Sequence, residues 1–409
     1  MKLERKIVIL VGDGMADYPI PEHGNRTPLE IAATPHMDHI ASNGIIGLAK
    51  TIPDGMTPGS DTANLSIFGY DPKKYFTGRA PLEALNMGIE MAPKDVAFRC
   101  NLVNIDKNDI MMDFSAGHID TDFTKIIIEE LKNSISFKDI EIYPGVKYRN
   151  ILIWRNFPYD TVADTTPPHD IHGEKTKNYL PKGDGADFLI HIMDEYSKII
   201  NGSDLIKDSR DRFQGDPTSL WLWGGGKKPF MDSLESRFGL KGYTISAVDL
   251  IHGIGRAVGL APIHVEGVTG YLDTNYEGKS DASIKALKQS NFVFLHVESP
   301  DESGHEGNLE HKIMAIEDFD SRVVGRVLEG LKDYDDYTVL VISDHPTPIS
   351  LRTHVSDPVP FCILSSRGLS VDPYTSNNIS GFNEGSALKT GLFIEEGHRL
   401  VEIMISGRI

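Results

Sequence analysis

One run near the start of the chain leaves few folds open to it. Ile7-Val8-Ile9-Leu10-Val11 is apolar at every position, mostly β-branched, and ends on Gly12-Asp13-Gly14. A run with no polar face cannot lie half in water, so it reads as a central strand of a parallel sheet, covered on both sides. Two later runs follow the same rule, Asn291-Phe292-Val293-Phe294-Leu295-His296-Val297 and Tyr337-Thr338-Val339-Leu340-Val341-Ile342-Ser343. Between them Ile313, Ile316, Phe319, Val323 and Val327 recur at helical spacing, which predicts a helix of about 20 residues from Leu309 to near Gly330. Strand, helix and strand in that order make a right-handed parallel crossover. Open α/β sheets carry their chemistry at the carboxyl ends of such strands. Asp13 and the residues just after Val297 and Ser343 are therefore the first places to look.

The rest of the chain sorts around that core. Pro35 to Gly44 reads as a helix begun by Thr34-Pro35 and stopped by the glycine. Tyr243 to Val248 and Leu250 to Leu260 read as another strand and helix. From about Asp95 to Asp216 short strands (Val96–Phe98, Ile142–Tyr143, Ile151–Trp154) alternate with polar, Pro-rich loops. The expectation is an α/β core formed by residues 1–94 and 217–409, resuming near Trp221. Residues 95–216 would be an inserted α+β cap. At 409 residues the chain is long enough for that division.

Charge and cysteine content exclude several classes. Lys and Arg number 41 against 59 Asp and Glu, a formal net charge of -18. That balance argues against nucleic acid and anionic membranes as partners. Cys100 and Cys362 are too few for a disulfide framework and read as buried small hydrophobes. No secretory leader and no apolar run of about 20 residues is evident, so a cytoplasmic location is expected.

Pro58-Gly59-Ser60-Asp61-Thr62-Ala63-Asn64 leads into a helical run and puts the Ser60 hydroxyl at a helix N-terminus. Free backbone N–H groups and the positive dipole end favour an anion there. A lone serine in that place is ordinarily a cap. Here it is joined by acids and imidazoles that follow successive strands. Asp301 and His305 stand four apart after one strand, Asp344 and His345 follow the next, and His354 lies in the loop beyond. With Asp13 and Ser60 they make seven potential ligands, about what two metal ions sharing a substrate oxygen require. Mixed carboxylate and imidazole favours Mn²⁺, Zn²⁺, Fe²⁺ or Co²⁺ over Mg²⁺. One ion on Asp13, Asp344 and His345 would activate Ser60, and the other, on Asp301, His305 and His354, would clamp phosphoryl oxygens.

Several motifs together carry a family resemblance. They are Val11-Gly12-Asp13-Gly14-Met15-Ala16-Asp17, Pro58 to Asn64, Gly69-Tyr70-Asp71-Pro72, Tyr75-Phe76-Thr77-Gly78-Arg79 and Asp344-His345-Pro346-Thr347-Pro348. The chain resembles the cofactor-independent phosphoglycerate mutases of the alkaline phosphatase superfamily, most closely their compact archaeal-type branch. The resemblance extends to Tyr276-Glu277-Gly278-Lys279 and the Pro167-Pro168-His169-Asp170 loop. It implies an alkaline-phosphatase-like core with a smaller cap. It also implies Ser60 as a phosphorylated nucleophile, two divalent metals with Mn²⁺ foremost, and no 2,3-bisphosphoglycerate. The activity implied is the interconversion of 3-phosphoglycerate and 2-phosphoglycerate in glycolysis and gluconeogenesis. The family's cap holds the glycerate carboxylate, a role assigned here to His118, Arg149, His169, Asp170 and Arg212, with Lys279 as a phosphate contact.

Asp344 to Ile349 and Arg352-Thr353-His354 are also similar to a bacterial subgroup proposed to act as homoserine kinases. A kinase of that kind, or a plain phosphomonoesterase, would use the same Ser60. A kinase needs a nucleotide pocket, and no Walker-type loop is found; Trp223-Gly224-Gly225-Gly226-Lys227-Lys228 is only a loose match. A mutase must keep water from its phosphoserine, which calls for a cap moving on hinges near residues 95 and 216.

Overall fold

All seven residues of the Lys6–Gly12 strand are buried. It pairs in parallel with Phe292–Val297 on one side and Tyr337–Ile342 on the other. In the computed structural model, which describes residues 5–370, 379 and 381–409, these three strands are the middle of an eight-stranded sheet. Its order is Phe393–Ile394, Ile45–Ala49, Val359–Ser365, Tyr337–Ile342, Lys6–Gly12, Phe292–Val297, Gly242–Ile245, Ala261–Ile263. Only the two pairings made by Val359–Ser365 are antiparallel. The expected α/β core with a mostly parallel sheet is the one observed. Asp13, Glu298 and Asp344 all leave the sheet at the same edge, because the strands that deliver them run in the same direction.

The helical run between the last two central strands is not uniform. Leu309–Asp318 and Gly325–Leu331 are α-helical, and Phe319–Val324 between them is a π-helical turn. Such wide turns rotate the following face. Here the turn presents Asp320, fully buried, to the start of the Pro35–Asn43 helix. Its carboxylate accepts the His36 and Met37 N–H groups at 3.2 and 2.7 Å. That helix has Pro at its start and no side-chain cap of its own, so Asp320 supplies the missing acceptor.

The chain forms two compact units, Met1–Phe76 with Phe230–Ile409, and Thr77–Pro229. The smaller unit therefore begins and ends outside the expected 95 and 216. Two observations explain the difference. The Arg79–Asn86 helix packs Ala80 and Ala84 against Ala97, Ile151 and Ile153 of the smaller unit's sheet. Each of the two buried isoleucines there contributes about 1.5–3 kcal/mol, and each alanine methyl under about 1 kcal/mol. The apolar run at Trp221 is not a return to the core: Ser219–Lys227 pairs antiparallel with Val96–Ile105. That strand also disposes of the loose glycine-rich match. Gly224 to Gly226 are in the strand, where a Cβ on Gly226 would lie 2.1 Å from the Thr77 carbonyl oxygen.

The remaining strands of the smaller unit, Met111–Asp113, Ile140–Tyr143 and Arg149–Trp154, pair antiparallel. The helices Thr121–Ser134 and Ala186–Gly202 bury Phe123, Ile127, Leu131, Leu189 and Ile192 in one core with Leu152 and Leu222. Cys100 and Cys362 are free and buried, as expected. Among the described residues no helix is long and apolar enough to cross a membrane.

Candidate metal centre and nucleophile

The larger unit brings all seven expected ligands together at one sheet edge. Asp13 follows its strand directly and is 2 % exposed. Its neighbour Gly14 has φ +61°, donates its N–H to Asp344 Oδ1 at 3.1 Å, and cannot carry a side chain. A Cβ there would sit 2.6 Å from Thr347 Oγ1 and 2.7 Å from the Asp301 Cα. The Gly-Asp-Gly signature is thus a close-approach requirement.

Ser60 is the first residue of the Ser60–Ile67 helix, and its Oγ lies 3.1 Å from His345 Nε2. One turn on, Asn64 ties the serine to the sheet: its Nδ2 donates to Ser60 O at 2.9 Å and to Asp344 Oδ2 at 2.8 Å. His345 Nε2 is also 3.5 Å from both Asp13 Oδ1 and Asp344 Oδ2. On the other side, Asp301 belongs to the Ser299–Glu306 helix and reaches His305 Nε2 at 3.2 Å and His354 Nε2 at 3.4 Å. The Nε2 atoms of His305 and His354 face each other at 2.9 Å.

Three groups of ligand atoms, each within 4.8 Å of one another, result: Asp301, His305 and His354; Asp13, Asp301 and His345; and Asp13, His296 and Asp344. His296 was not foreseen from the sequence. It is fully buried one residue from the carboxyl end of its strand, with Nε2 3.0 Å from Asp13 Oδ2 and Nδ1 3.3 Å from Ser246 Oγ. A histidine inside an apolar strand run gives no pattern that separates a site residue from a satisfied core residue.

The electrostatics of the two sides differ. Burial, then the Asp344, Asp301 and Glu298 carboxylates, push the Asp13 pKa well above the usual carboxylate range. Burial pulls His296 down to about 3 and His345 below its ordinary value, so neither supplies positive charge to offset Asp13. Burial would raise Asp301 too, but the His305 and His354 imidazoles outweigh it and hold that carboxylate well below its usual value. His305 is raised to about 9, the Asp301 bond and charge overcoming its own burial.

A divalent cation fits this donor set on three observations. Asp13 Oδ1 is buried without a hydrogen-bond partner. Two imidazole nitrogens are aimed at one point, and His305 Nδ1 is already engaged with Arg352 O at 3.0 Å. The carboxylates of Asp13 and Asp344 meet with only neutral imidazoles between them.

The remaining expected residues are elsewhere. Lys279 is fully buried, its Nζ donates to His296 O at 3.1 Å, and burial lowers its pKa to about 8. His118, Arg149, His169, Asp170 and Arg212 belong to the smaller unit and all five are exposed. His118 holds φ +54° and its N–H is bound by Ser115 Oγ at 3.1 Å. His169 lies against Phe114 and Trp223 and is 3.7 Å from Asp170 Oδ1. Arg149 stacks over Tyr148, which meets Phe114 edge-on. Arg212 donates to Ser209 Oγ at 3.1 Å.

Sequence reasoning missed what Arg149 joins. Arg99 and Arg79 bind the two oxygens of Glu83 at 2.9 and 3.0 Å, and Arg99 stacks on Trp223 with 4.2 Å to the ring centre. Burial draws Arg99 down to about 10, with Arg79 and Arg149 adding to the effect. Burial would raise Glu83, but Arg99, Arg79 and Arg149 hold it below its ordinary value. Two guanidinium groups thus bind one buried carboxylate, and Arg149 adds positive charge without an ion-pair contact to it.

Residues 41–205 match the family model described as 2,3-bisphosphoglycerate-independent phosphoglycerate mutase. The chain is 48% identical over 405 residues to a Geobacter sulfurreducens protein named as a probable 2,3-bisphosphoglycerate-independent phosphoglycerate mutase, covering 98% of this chain and 99% of that one. It is 47% identical over 402 residues to the Methanosarcina mazei 2,3-bisphosphoglycerate-independent phosphoglycerate mutase, with coverage of 98% and 99%. A solved Pyrococcus horikoshii structure superposes with a TM-score of 0.80 at 28% identity, covering 99% of this chain and 97% of that one. The fold is shared with the Thermoplasma acidophilum cofactor-independent phosphoglycerate mutase at a TM-score of 0.64 and 24% identity, with coverage of 98% and 99%.

Proposed function

The chain belongs to the 2,3-bisphosphoglycerate-independent phosphoglycerate mutase family, and on that premise we propose that it interconverts 3-phosphoglycerate and 2-phosphoglycerate through a phosphoserine on Ser60. The observation that carries this reading is the place of the Ser60 hydroxyl. It stands at a helix N-terminus, 3.1 Å from His345 Nε2, beside a buried set of carboxylates and imidazoles fit for cations.

Asp13, Asp344 and His345 would hold one divalent ion with Ser60, and Asp301, His305 and His354 a second, Mn²⁺ being the best match to the mixed donors. When bound, such ions supply a lowered hydroxyl pKa at Ser60 and neutralise phosphoryl charge. Ser60 Oγ forms the bond to phosphorus while the bond to the glycerate 3-oxygen breaks. The 3-oxygen leaves with a proton in place of the one Ser60 gives up; in the return step the 2-oxygen bonds phosphorus as the Ser60 Oγ–phosphorus bond breaks, and the 2-hydroxyl proton replaces the one on Ser60 Oγ. Asn64 fixes the serine for both steps by holding its carbonyl oxygen and Asp344 with one amide. The first-turn N–H groups of Ser60–Ile67 favour the phosphoryl anion.

Recognition of the glycerate carboxylate is assigned to the smaller unit, where Arg149 adds to the Arg79 and Arg99 charges around Glu83. The assignments of His118, His169, Asp170 and Arg212 rest on family resemblance, as does that of Lys279 in the larger unit.

The test is one incubation. Mn²⁺-loaded protein is given 3-phosphoglycerate, and 2-phosphoglycerate and free phosphate are followed. Isomer without phosphate release is expected, lost on chelation and regained with Mn²⁺. Phosphate release would make the protein a phosphatase, and ATP consumption with homoserine a kinase. Ser60→Ala is expected to leave under about 1% of turnover; more than that rules out the covalent route.

A further inference from the structure

One hydroxyl lies between the two ligand clusters without belonging to either. Thr347 is wholly buried. Its Oγ1 hydrogen-bonds Asp301 Oδ1 and lies 3.2 Å from His345 Nδ1. A hydroxyl has one proton to give and two lone pairs to offer. Thr347 Oγ1 donates to Asp301 Oδ1, so its single proton is committed to that carboxylate. What Oγ1 offers His345 is then a lone pair, and His345 Nδ1 must carry the ring hydrogen. In the neutral ring this leaves Nε2 bare, and Nε2 is the atom turned toward Ser60 Oγ, Asp13 and Asp344.

The surroundings leave the threonine little freedom. Its carbonyl oxygen accepts from Lys312 Nζ at 2.8 Å, and its N–H bonds Ala16 O at 3.2 Å. A Cβ on Gly304 would lie 2.5 Å from Thr347 O and 2.9 Å from its Cγ2, so only a glycine on the Asp301 helix lets the residue approach so closely. A second glycine, Gly14, makes room for Oγ1 itself.

We propose that Thr347 is a positioning residue that couples the two clusters, its hydroxyl holding the Asp301 carboxylate and fixing His345 with hydrogen on Nδ1. Its consequence for metal binding rests on the two-metal reading above; the hydrogen placement does not. A ligand held in the wrong tautomer cannot present its lone pair. Losing this one hydroxyl weakens both clusters together, by the 10–100-fold that loss of an orienting partner typically costs in metal affinity.

Thr347→Val keeps the shape and removes the hydroxyl, whereas Thr347→Ser keeps the hydroxyl. Mn²⁺ affinity and stoichiometry are measured by electron paramagnetic resonance titration of wild type and both variants. Metal-free, ¹⁵N-histidine-labelled protein is examined by NMR, with the His345 signal assigned through His345→Asn. The expected result is two Mn²⁺ in wild type, both bound at least about tenfold more weakly in Thr347→Val, and Thr347→Ser within about threefold of wild type. Unchanged Mn²⁺ affinity in Thr347→Val, or weakening of one ion alone, overturns the coupling. Wild type that binds no Mn²⁺ sinks the two-metal reading, and the NMR arm then decides on Thr347. His345 with hydrogen on Nδ1 upholds the proposal, and hydrogen on Nε2 overturns it. That measurement needs no folded Thr347→Val.

Discussion

Lys312 offers the sharpest test of how the site is held in shape. It lies on the Leu309–Asp318 helix with no exposed surface. Its Nζ donates to Asp17 Oδ2 at 2.7 Å, Thr347 O at 2.8 Å and Ala16 O at 3.3 Å. One ammonium thus pins the loop after Asp13 to the loop after Asp344. Lys312→Met keeps most of the volume and removes the charge. Asp17 is then buried with two backbone donors, Tyr18 N and Ile349 N, but no cation, and two carbonyls lose a partner. Removing one member of a buried pair costs about 3–5 kcal/mol. The two remaining donors to Asp17 place the loss near the lower end, about 3 kcal/mol. The double variant Lys312→Met/Asp17→Asn removes the stranded charge, and should recover enough to give a coupling of about 1–3 kcal/mol.

Urea unfolding of chelated protein, followed by far-UV circular dichroism, reads this out. Tryptophan fluorescence follows the other unit, because Trp154, Trp221 and Trp223 all belong to Thr77–Pro229. A pH series adds a sign. Burial lowers the Lys312 pKa from 10.5, so the folded state binds fewer protons than the unfolded one between the lowered value and 10.5. Wild-type stability therefore gains from Lys312 as pH rises through that window, and the Met variant lacks the gain. A Lys312→Met loss under about 1 kcal/mol would refute the reasoning, since that is all an exposed pair gives.

Two further outcomes follow from charges the structure sets. Glu384 is raised from 4.5 to about 7, chiefly by burial. A carboxylate raised in the folded state destabilises it increasingly as pH climbs from 4.5 to 7. Glu384→Gln should therefore be equal to wild type near pH 4.5 and up to about 3 kcal/mol more stable at pH 8. Unfolding curves at the two pH values check this, and a gain of the same size at both would contradict it. Arg149→Gln, at an exposed position, should raise the KM for 3-phosphoglycerate about tenfold with melting temperature unchanged. An unaltered KM would remove Arg149 from substrate recognition.

The candidate ligand set was legible because strand-end acids follow from sheet direction. Once Ile7–Val11, Phe292–Val297 and Tyr337–Ile342 are parallel neighbours, Asp13, Asp301 and Asp344 must converge. What stayed hidden were groups whose role depends on tertiary approach alone. His296 is one apolar-strand residue among others until the Asp13 carboxylate lies 3.0 Å away. Thr347 sat inside a quoted motif, yet nothing in its spacing shows that its hydroxyl spans two clusters. Arg79 and Arg99 are 20 residues apart and meet only through Glu83. The boundary at Trp221 failed for a related reason: an apolar run does not say which sheet it joins.

The same division of labour bears on which hydroxyl compound receives the phosphoryl group. On the proposed reading Ser60 and the acids around it would serve phosphoryl transfer and be indifferent to the acceptor's other end. Phosphoglycerate is anionic at both ends, whereas homoserine carries an ammonium beside its carboxylate. In a chain of net charge -18, two arginines on one glutamate, with Arg149 adding to their charge, are a local reversal of sign. On the proposed reading that surplus would favour a second carboxylate over an ammonium; for scale, a charge pair at 4 Å and an effective dielectric of about 20 is worth about 4 kcal/mol before desolvation. Even a tenth of that, summed over the net surplus of two charges, separates the two acceptors by about fourfold. Homoserine should therefore compete poorly against 3-phosphoglycerate, and Arg99→Gln, which halves the surplus, should narrow the gap. A variant that lost 3-phosphoglycerate turnover while leaving the ratio of the two acceptors fixed would place the selection somewhere other than in this charge.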